Sequence, residues 1–433
     1  MNIKLLKQKD FSLLMLGQLV SLLGTQMQGF ALSLYVLKIT GSATKFASVF
    51  AITMIPKLIL GPIAGVFADW FDRKKIIVFL DIISGIIVAI FAVIYKINGG
   101  LSLSHIYVLA ILFSIISLLF NPAVATVVPS IIKKEELMDA NAIRSFILNI
   151  VKFISPIIAG ILLGFYDLFI LLVINSFSFL LSAISEIFIN IPRTNKEPEQ
   201  INIDSFLKDF SEGIKYIKGN KLMLNIIVLA LVCNFVLAPI DSIGILFILK
   251  KMLNITDSQY GVFESILIIS IMIAPISGTI ISKKIKLGRM IFLGHLAMAI
   301  LYGVVAVISS TQYLNLFTGN LIPYISLIIV YFVIILVSSI VNIAIYTMLQ
   351  GQVPLSMMGR INSVNSSLSM AAIPLGQMVF GVLFDKTYAW ICIGISAVLT
   401  FIFAMVFRRN LLDCDKNEAE NSAVENSDKI QLV

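Results

Sequence analysis

Lys57, Lys152, Asp241 and Glu264 each interrupt a mostly apolar run long enough, at about 20 residues, to cross a bilayer. Burying a charge at that depth costs at least about 2.5–3.5 kcal/mol on insertion scales, so a charge found there marks a functional position by default. A carboxyl group that alternates between a dry setting and a hydrated or cation-paired one can take up and release a proton. Asp241 and Glu264 are the acidic side chains deep inside such runs and away from the ends where basic residues gather. Asp241 follows Pro239, where a broken helix would expose backbone carbonyls, and Glu264 precedes the apolar run Ser265 to Ile269. Lys57 and Lys152 fall near the middle of their runs and suit the polar or anionic groups of a small molecule. Structural ion pairs are the competing reading of all four. Asp81, Glu186 and His295 sit within a turn or two of run ends, where snorkelling to water or pairing with a loop explains them.

Other chemistries lack their residues. Cys233, Cys392 and Cys414 are far apart, as are His105 and His295, so neither a metal-ligand spacing nor a disulfide framework is present. No metal and no cofactor are expected. A phosphate-cradling loop needs Gly-Lys, a dipeptide absent from the chain. Paired His or Cys-His groups at one depth are missing too, so the chain does not read as an enzyme.

The elements that hold these residues follow from hydropathy. Of 433 residues, 59% are hydrophobic and 13% charged, well beyond the roughly 45–50% apolar content of soluble domains. Twelve spans are expected, at about 11–37, 44–69, 76–95, 105–128, 142–165, 168–191, 222–249, 258–282, 289–309, 321–348, 361–384 and 388–407. Of the 32 Lys and Arg, 24 fall on the side of the N-terminus, six on the other and two inside spans. Cytoplasmic loops collect Lys and Arg, so both termini are expected in the cytoplasm. The net charge of +8 is thereby a matter of topology and gives no reason to expect nucleic acid.

The sequence predicts an all-α membrane protein divided six and six. Residues 1–191 form an N-terminal bundle and 222–409 a C-terminal bundle. Between them, 192–221 form a cytoplasmic linker in which Ile203, Phe206, Leu207, Phe210, Ile214 and Ile217 recur on one helical face. That face suits the membrane interface or the cytoplasmic end of the protein itself. The polar tail 410–433 reads as disordered. A shift of 213 residues lays Gly61-Pro62-Ile63-Ala64-Gly65 over Ala274-Pro275-Ile276-Ser277-Gly278, superimposing the first three spans on the seventh to ninth. Internal repeats of this kind belong to secondary transporters, in which a ligand sits between the repeats.

Between the second and third spans runs Gly65-x-x-x-Asp69-x-x-x-Arg73-Lys74-Lys75, which resembles the loop motif of the major facilitator superfamily. Trp70 stands where that motif has a cation and Asp72 where it has glycine. The second-half copy keeps Gly278, Lys283, Lys286 and Arg289 but has Ser282 in place of the aspartate. The stretches Asn121 to Ile143 and Gln350 to Gly376 are most similar to the branch of macrolide, multidrug and siderophore exporters. Ser155-Pro156…Gly160 resembles an antiporter element of the family, with serine and alanine at two glycine positions. The fourth span carries no arginine, unlike many proton-coupled drug exporters of the family.

The resemblance implies the major facilitator fold of twelve transmembrane helices in two six-helix repeats, working by alternating access. It implies that Asp69, disfavoured at its own helix C-terminus, meets Arg73 and the start of the eleventh span near Arg360. Gly65, Asp69, Arg73 and Arg360 would then form a cytoplasmic gate, unless their charges only set topology. The expectation is a monomeric plasma (inner) membrane exporter of an amphipathic organic compound, such as a drug, macrolide or siderophore. Its partners would be that small molecule, a proton or other coupling ion, and the lipid bilayer. Asp241 and Glu264 would carry the proton, with Lys57 and Lys152 in the substrate cavity. An importer of an anionic small molecule and a non-transporting receptor or assembly factor are the alternatives.

Overall fold

The computed structural model describes residues 3–70, 72–133, 136–191, 211–212, 214–353 and 355–431. Among these, the regular structure is helical throughout. The main helices are α1 (Lys9–Thr40), α2 (Ala43–Trp70), α3 (Arg73–Asn98), α4 (Leu103–Ile131), α5 (Leu137–Phe165) and α6 (Leu168–Ile187). There follow α7 (Met223–Met252), α8 (Asp257–Ser282), α9 (Leu287–Ile308), α10 (Leu321–Gln352), α11 (Leu355–Lys386) and α12 (Ala389–Gln431). Ten of them meet the length and hydropathy of a membrane span among the described residues. The other two, α2 and α11, have 28 and 32 residues, which at about 1.5 Å per residue exceeds a bilayer core of about 30 Å.

Caps set the helix ends. Ser102 starts α4 in a capping box with His105, and Gly41, at φ 62°, returns its N–H to Leu37 O to close α1. Asp72 caps α3, its Oδ1 accepting from the backbone N–H groups of Lys74 (3.0 Å) and Lys75 (3.4 Å). That accounts for an acidic residue where the family motif has glycine.

Two compact units emerge: Met1–Ile203 with Ile255–Ile268, and Asp204–Asn254 with Ile269–Val433. In the first, small residues let helices meet at backbone distance, as membrane packing favours. A Cβ on Gly24 of α1 would collide with Asn175 and Ser178 of α6. Asn175 Nδ2 donates to Gln28 Oε1 (2.7 Å), and Ser176 Oγ donates to Gly85 O of α3 (2.8 Å). Lipid-ready residues cover the outside: α3 exposes Phe79, Ile86, Ile90, Val93 and Ile97 at helical spacing while burying Ile77, Asp81, Ser84 and Val88. An apolar cluster of Phe11, Leu14, Ile77, Val127 and Ile143 closes one end. In the second unit, Tyr302 and Tyr331 are buried between α9 and α10, ring to edge at 6.5 Å. There Gly376 of α11 lies where a Cβ would strike the carbonyl of Phe235 in α7.

Three expectations change. Asp81, Glu186 and His295 do not snorkel: they are 2%, 0% and 2% exposed, because α3 and α6 turn the faces of Asp81 and Glu186 inward and their apolar faces outward, and His295 is buried on α9 with its Nδ1 on Ile291 O (2.8 Å). The tail past 409 continues as helix to Gln431; its Ala, Glu and Lys are good helix formers, and extending an existing helix avoids the cost of nucleation. Several helices also run a turn or more past their hydropathy boundaries, since capping residues and flanking charges belong to the helix without adding hydropathy. Of the linker face, Ile203, Phe206, Leu207 and Phe210 lie outside the described residues, while Ile214 and Ile217 are helical and Ile217 is buried.

Gly24→Val should lower the midpoint of thermal unfolding in detergent by the equivalent of about 1–3 kcal/mol, the usual cost of overpacking. Gly29→Ala, where a Cβ meets nothing within 4 Å, should leave it unchanged or raise it. Equal midpoints for wild type and Gly24→Val would show that α1 and α6 are not in this close contact.

Candidate functional site

Polar residues on α1 form the stripe Gln18, Ser21, Thr25 and Gln28, spaced three or four residues apart on one helical face. Three of them border a cavity of about 180 Å³ inside the first unit. Asp81 and Ser84 of α3, Ser117 and Asn121 of α4, and Arg144 of α5 add the remaining polar lining, and Phe113, Phe120 and Phe179 add aromatic walls. Arg144 Nε donates to Gln18 Oε1 across 3.4 Å. A space of this size holds several waters or part of a small molecule, and it offers one cation, one carboxyl group and several neutral donors and acceptors. Sequence reasoning missed this site because each polar residue is mild alone; the three- and four-residue spacing on α1 was the available signal.

Glu186 of α6 is within electrostatic reach of Asp81. Asp81 Oδ2, both Glu186 carboxyl oxygens and Ser182 Oγ are buried with no hydrogen-bond partner among the described residues.

The four deep charges fall elsewhere. None of them lines this cavity. Glu264 Oε1 accepts from Tyr260 Oη at 2.7 Å, and Tyr260 stacks on Phe30 at 5.1 Å, all within the first unit. Asp241 Oδ1 accepts from Tyr302 Oη at 2.6 Å in the second unit. Around Asp241 the helix α7 widens into two five-residue π-helical turns, Ile240–Gly244 and Ile248–Met252, a feature that recurs at functional sites. Asp241 and Glu264 are therefore matched, each holding a tyrosine hydroxyl, but they belong to different units. Lys57 is half-buried and Lys152 exposed, both midway along their helices.

Ser155, Pro156 and Gly160 face the start of α8. A Cβ on Gly160 would lie 2.6 Å from the carbonyl of Asp257, one on Gly261 would strike the Pro156 carbonyl, and Ser258 Oγ donates to Gly160 O (3.1 Å). Ser155 is fully buried and returns its hydroxyl to Val151 O (2.6 Å). The side chains of Gly65, Asp69, Arg73 and Arg360 lie outside the described residues. Among the described residues, no three of His, Cys, Asp and Glu come together as metal ligands.

Among the described residues, twelve long helices form an all-α membrane architecture with polar groups gathered inside each unit. The chain belongs to the Major Facilitator Superfamily, whose family model matches residues 14–377. It is 23% identical over 417 residues, 92% of each chain, to the uncharacterized MFS-type transporter YkuC of Bacillus subtilis (strain 168). It is 25% identical over 229 residues to macrolide efflux protein A of Streptococcus pyogenes, a match spanning 52% of this chain and 56% of that one. Thus the chain spans little more than half the length of the macrolide efflux relative. A shorter match, 30% over 113 residues and about a quarter of each chain, is to the staphyloferrin A transporter of Staphylococcus aureus. Among solved structures, a bacterial homologue of the iron transporter ferroportin in its inward-facing state superposes with TM-score 0.71 at 17% identity, covering 92% of this chain and 98% of that one. The nucleoside transporter NupG gives TM-score 0.72 at 13% identity, covering 95% and 99%.

Tyr302→Phe keeps the ring against Tyr331 and removes the donor to Asp241. A hydrogen bond to a charged group is worth about 1.5–3 kcal/mol, so unfolding in detergent should shift down by that order. If Tyr302→Phe melts like wild type while Asp241→Ala does not, the tyrosine is only a packing residue.

Proposed function

We propose that the chain is an exporter in the plasma (inner) membrane, with both termini cytoplasmic, that expels an amphipathic organic compound in exchange for protons as a monomer. The observation that carries the reading is the contact of Ser155-Pro156…Gly160 with Asp257–Gly261, where the family resemblance places an antiporter element and where two helices meet backbone to backbone. The names of the macrolide efflux protein and staphyloferrin A transporter relatives support transport of organic molecules. The excess of Lys and Arg on the N-terminal side supports the topology. Alternating access would move the two bundles around a ligand near the midplane. Lys152 exposes its ammonium midway along α5, a position tolerable against water but costly against lipid, so it and Lys57 would line the path and meet the polar end of the compound. Asp241 and Glu264, each on a tyrosine hydroxyl, would take up and release the proton. Asp69, with Arg73 and Arg360, would latch the cytoplasmic side.

Those lysines favour a second reading, import of an anionic small molecule. Inside-out vesicles with an imposed pH gradient separate the two: an exporter driven by proton antiport accumulates macrolide or siderophore-like compounds only when the lumen is acidic, and an importer of anions does not. Asp241→Asn or Glu264→Gln, whichever removes the carrier, should cut driven accumulation at least about tenfold, the effect of about 1.4 kcal/mol, and leave compound binding intact. Asp69→Asn should slow flux and make cytoplasmic-side cysteines more accessible. Wild-type accumulation by the double carboxyl variant would remove proton coupling from these residues.

A further inference from the structure

The most polar buried spot left without a role in that cycle is the pair Asp81 and Glu186. We propose that these two carboxyl groups form a proton-binding site inside the first unit, sharing one proton that is taken from and returned to water in the cavity beside Gln18 and Arg144. The site would add to the antiport reading without depending on it, because proton binding is measurable with no substrate present.

The physical case starts from donors. Ionised carboxylates only accept hydrogen bonds, and among the described residues Asp81 Oδ2 and both oxygens of Glu186 receive none, although they are 2% and 0% exposed as residues. An isolated buried carboxylate is too costly to leave unpaired, and two facing each other repel as well. A single added proton relieves both problems, because the pair then carries one charge in place of two. Among the described residues, no hydrogen-bond donor reaches either carboxyl oxygen of Glu186. On α6 there is no other charged residue, and α4 has only His105 and Tyr107, at its far end. Asp10 and Lys9 lie in the first turn of α1, where Asp10 accepts from the backbone N–H of Asn190 (2.9 Å); Lys38 and Tyr35 are at the other end. α2 contributes Lys45 and Lys57, and α3 itself Lys74 and Lys75 two turns before Asp81 and Tyr95 and Lys96 well beyond it. On α5, Asp139 and Lys152 are distant along the helix and Arg144 stands across the cavity with its Nε on Gln18.

The second element is a route. Asp81 lines the cavity of about 180 Å³ and Glu186 does not, although the two are within electrostatic reach of each other. The polar lining gives water its hydrogen bonds, so a proton can pass between water and Asp81 while Glu186 stays dry. Asp81 is thus the exchanging member and Glu186 the member that keeps the pair from ionising fully.

Infrared difference spectra of the purified full-length protein in detergent, recorded on stepping from alkaline to acid pH without substrate, test this directly. A carboxylic-acid C=O band should grow on acidification. Asp81→Asn and Glu186→Gln should each shift its titration, since coupled groups titrate as a pair, and the double variant should lose the component and take up about one proton fewer per chain. Asn121→Leu narrows the cavity and should slow hydrogen–deuterium exchange of the band without removing it, which keeps the idea testable if the carboxyl variants do not fold. The proposal is overturned if the double variant and wild type give identical difference spectra, if Asn121→Leu exchanges at the wild-type rate, or if adding sodium or magnesium at constant pH abolishes the band, which would make the pair a metal cation site. A titrating band together with failed proton-driven transport would leave this site standing and sink the antiport reading alone.

Discussion

A polar side chain between helices inside a bilayer has no water to turn to, and α6 shows how much of the first unit follows from that constraint. Its outer face is apolar, with Ile174, Phe177, Leu181 and Ile184 exposed, so its serines and asparagine must be satisfied inward. Asn175 reaches Gln28 of α1 and Ser176 reaches the Gly85 carbonyl of α3. Glycines opposite these groups remove the side chains that would hold the helices apart. The direction in which Glu186 points is therefore fixed by hydrogen bonds two and three turns away. Asp81, one turn before Gly85 on α3, is fixed by the same contact.

The second unit meets the constraint with tyrosine. Asp241 lies on the widened turn of α7, and Tyr302, from α9, donates to it. A π-helical turn displaces backbone groups from their regular pairing, so a polar side chain and a partner from the neighbouring helix fit where a regular helix would close the space. Glu264 on α8 has a local solution, one turn from its donor Tyr260.

Hydropathy made the helices legible as elements, though not all of their ends, because crossing a bilayer imposes a run of about 20 apolar residues whatever the packing. The family motif was legible at Asp69 and Arg73, and Asp72, a departure from it, is explained by the cap it makes on α3. What sequence did not give was azimuth. Position along a span sets depth, and depth alone assigned Asp81 and Glu186 to the water interface. Their burial depends on which way α3 and α6 are turned, and that is decided by Gly85, Ser176 and the exposed apolar stripe. The stripe was readable: Phe79, Ile86, Ile90, Val93 and Ile97 lie on one face of α3, and Asp81 lies off that face. The polar spacing of Gln18, Ser21, Thr25 and Gln28 was readable in the same way. Asp241 and Glu264 could be found by depth, but their tyrosine donors could not both be. Tyr260 is one helical turn from Glu264, a pairing sequence can suggest, whereas Tyr302 is 61 residues from Asp241.

The two kinds of buried carboxyl group are built for different tasks. Asp241 and Glu264 each have a hydrogen-bond donor supplied by the protein, so changing their protonation must rearrange a tyrosine hydroxyl and, through it, the helix that carries it. Such a group can link proton occupancy to helix position. Asp81 Oδ2 and both Glu186 carboxyl oxygens have no hydrogen-bond partner among the described residues, and under the proposal above their hydrogen comes from water. Their packing is already set by glycine and serine contacts that do not involve the carboxyl groups, so a proton can arrive or leave with little change in how α3 and α6 meet. A bundle that holds its shape while it changes charge can alter the field inside its own cavity, where Arg144 and Gln18 stand. Under the two proposals, the first unit would supply a charge that varies over a fixed framework, and the tyrosine-held carboxylates would supply the coupling to movement.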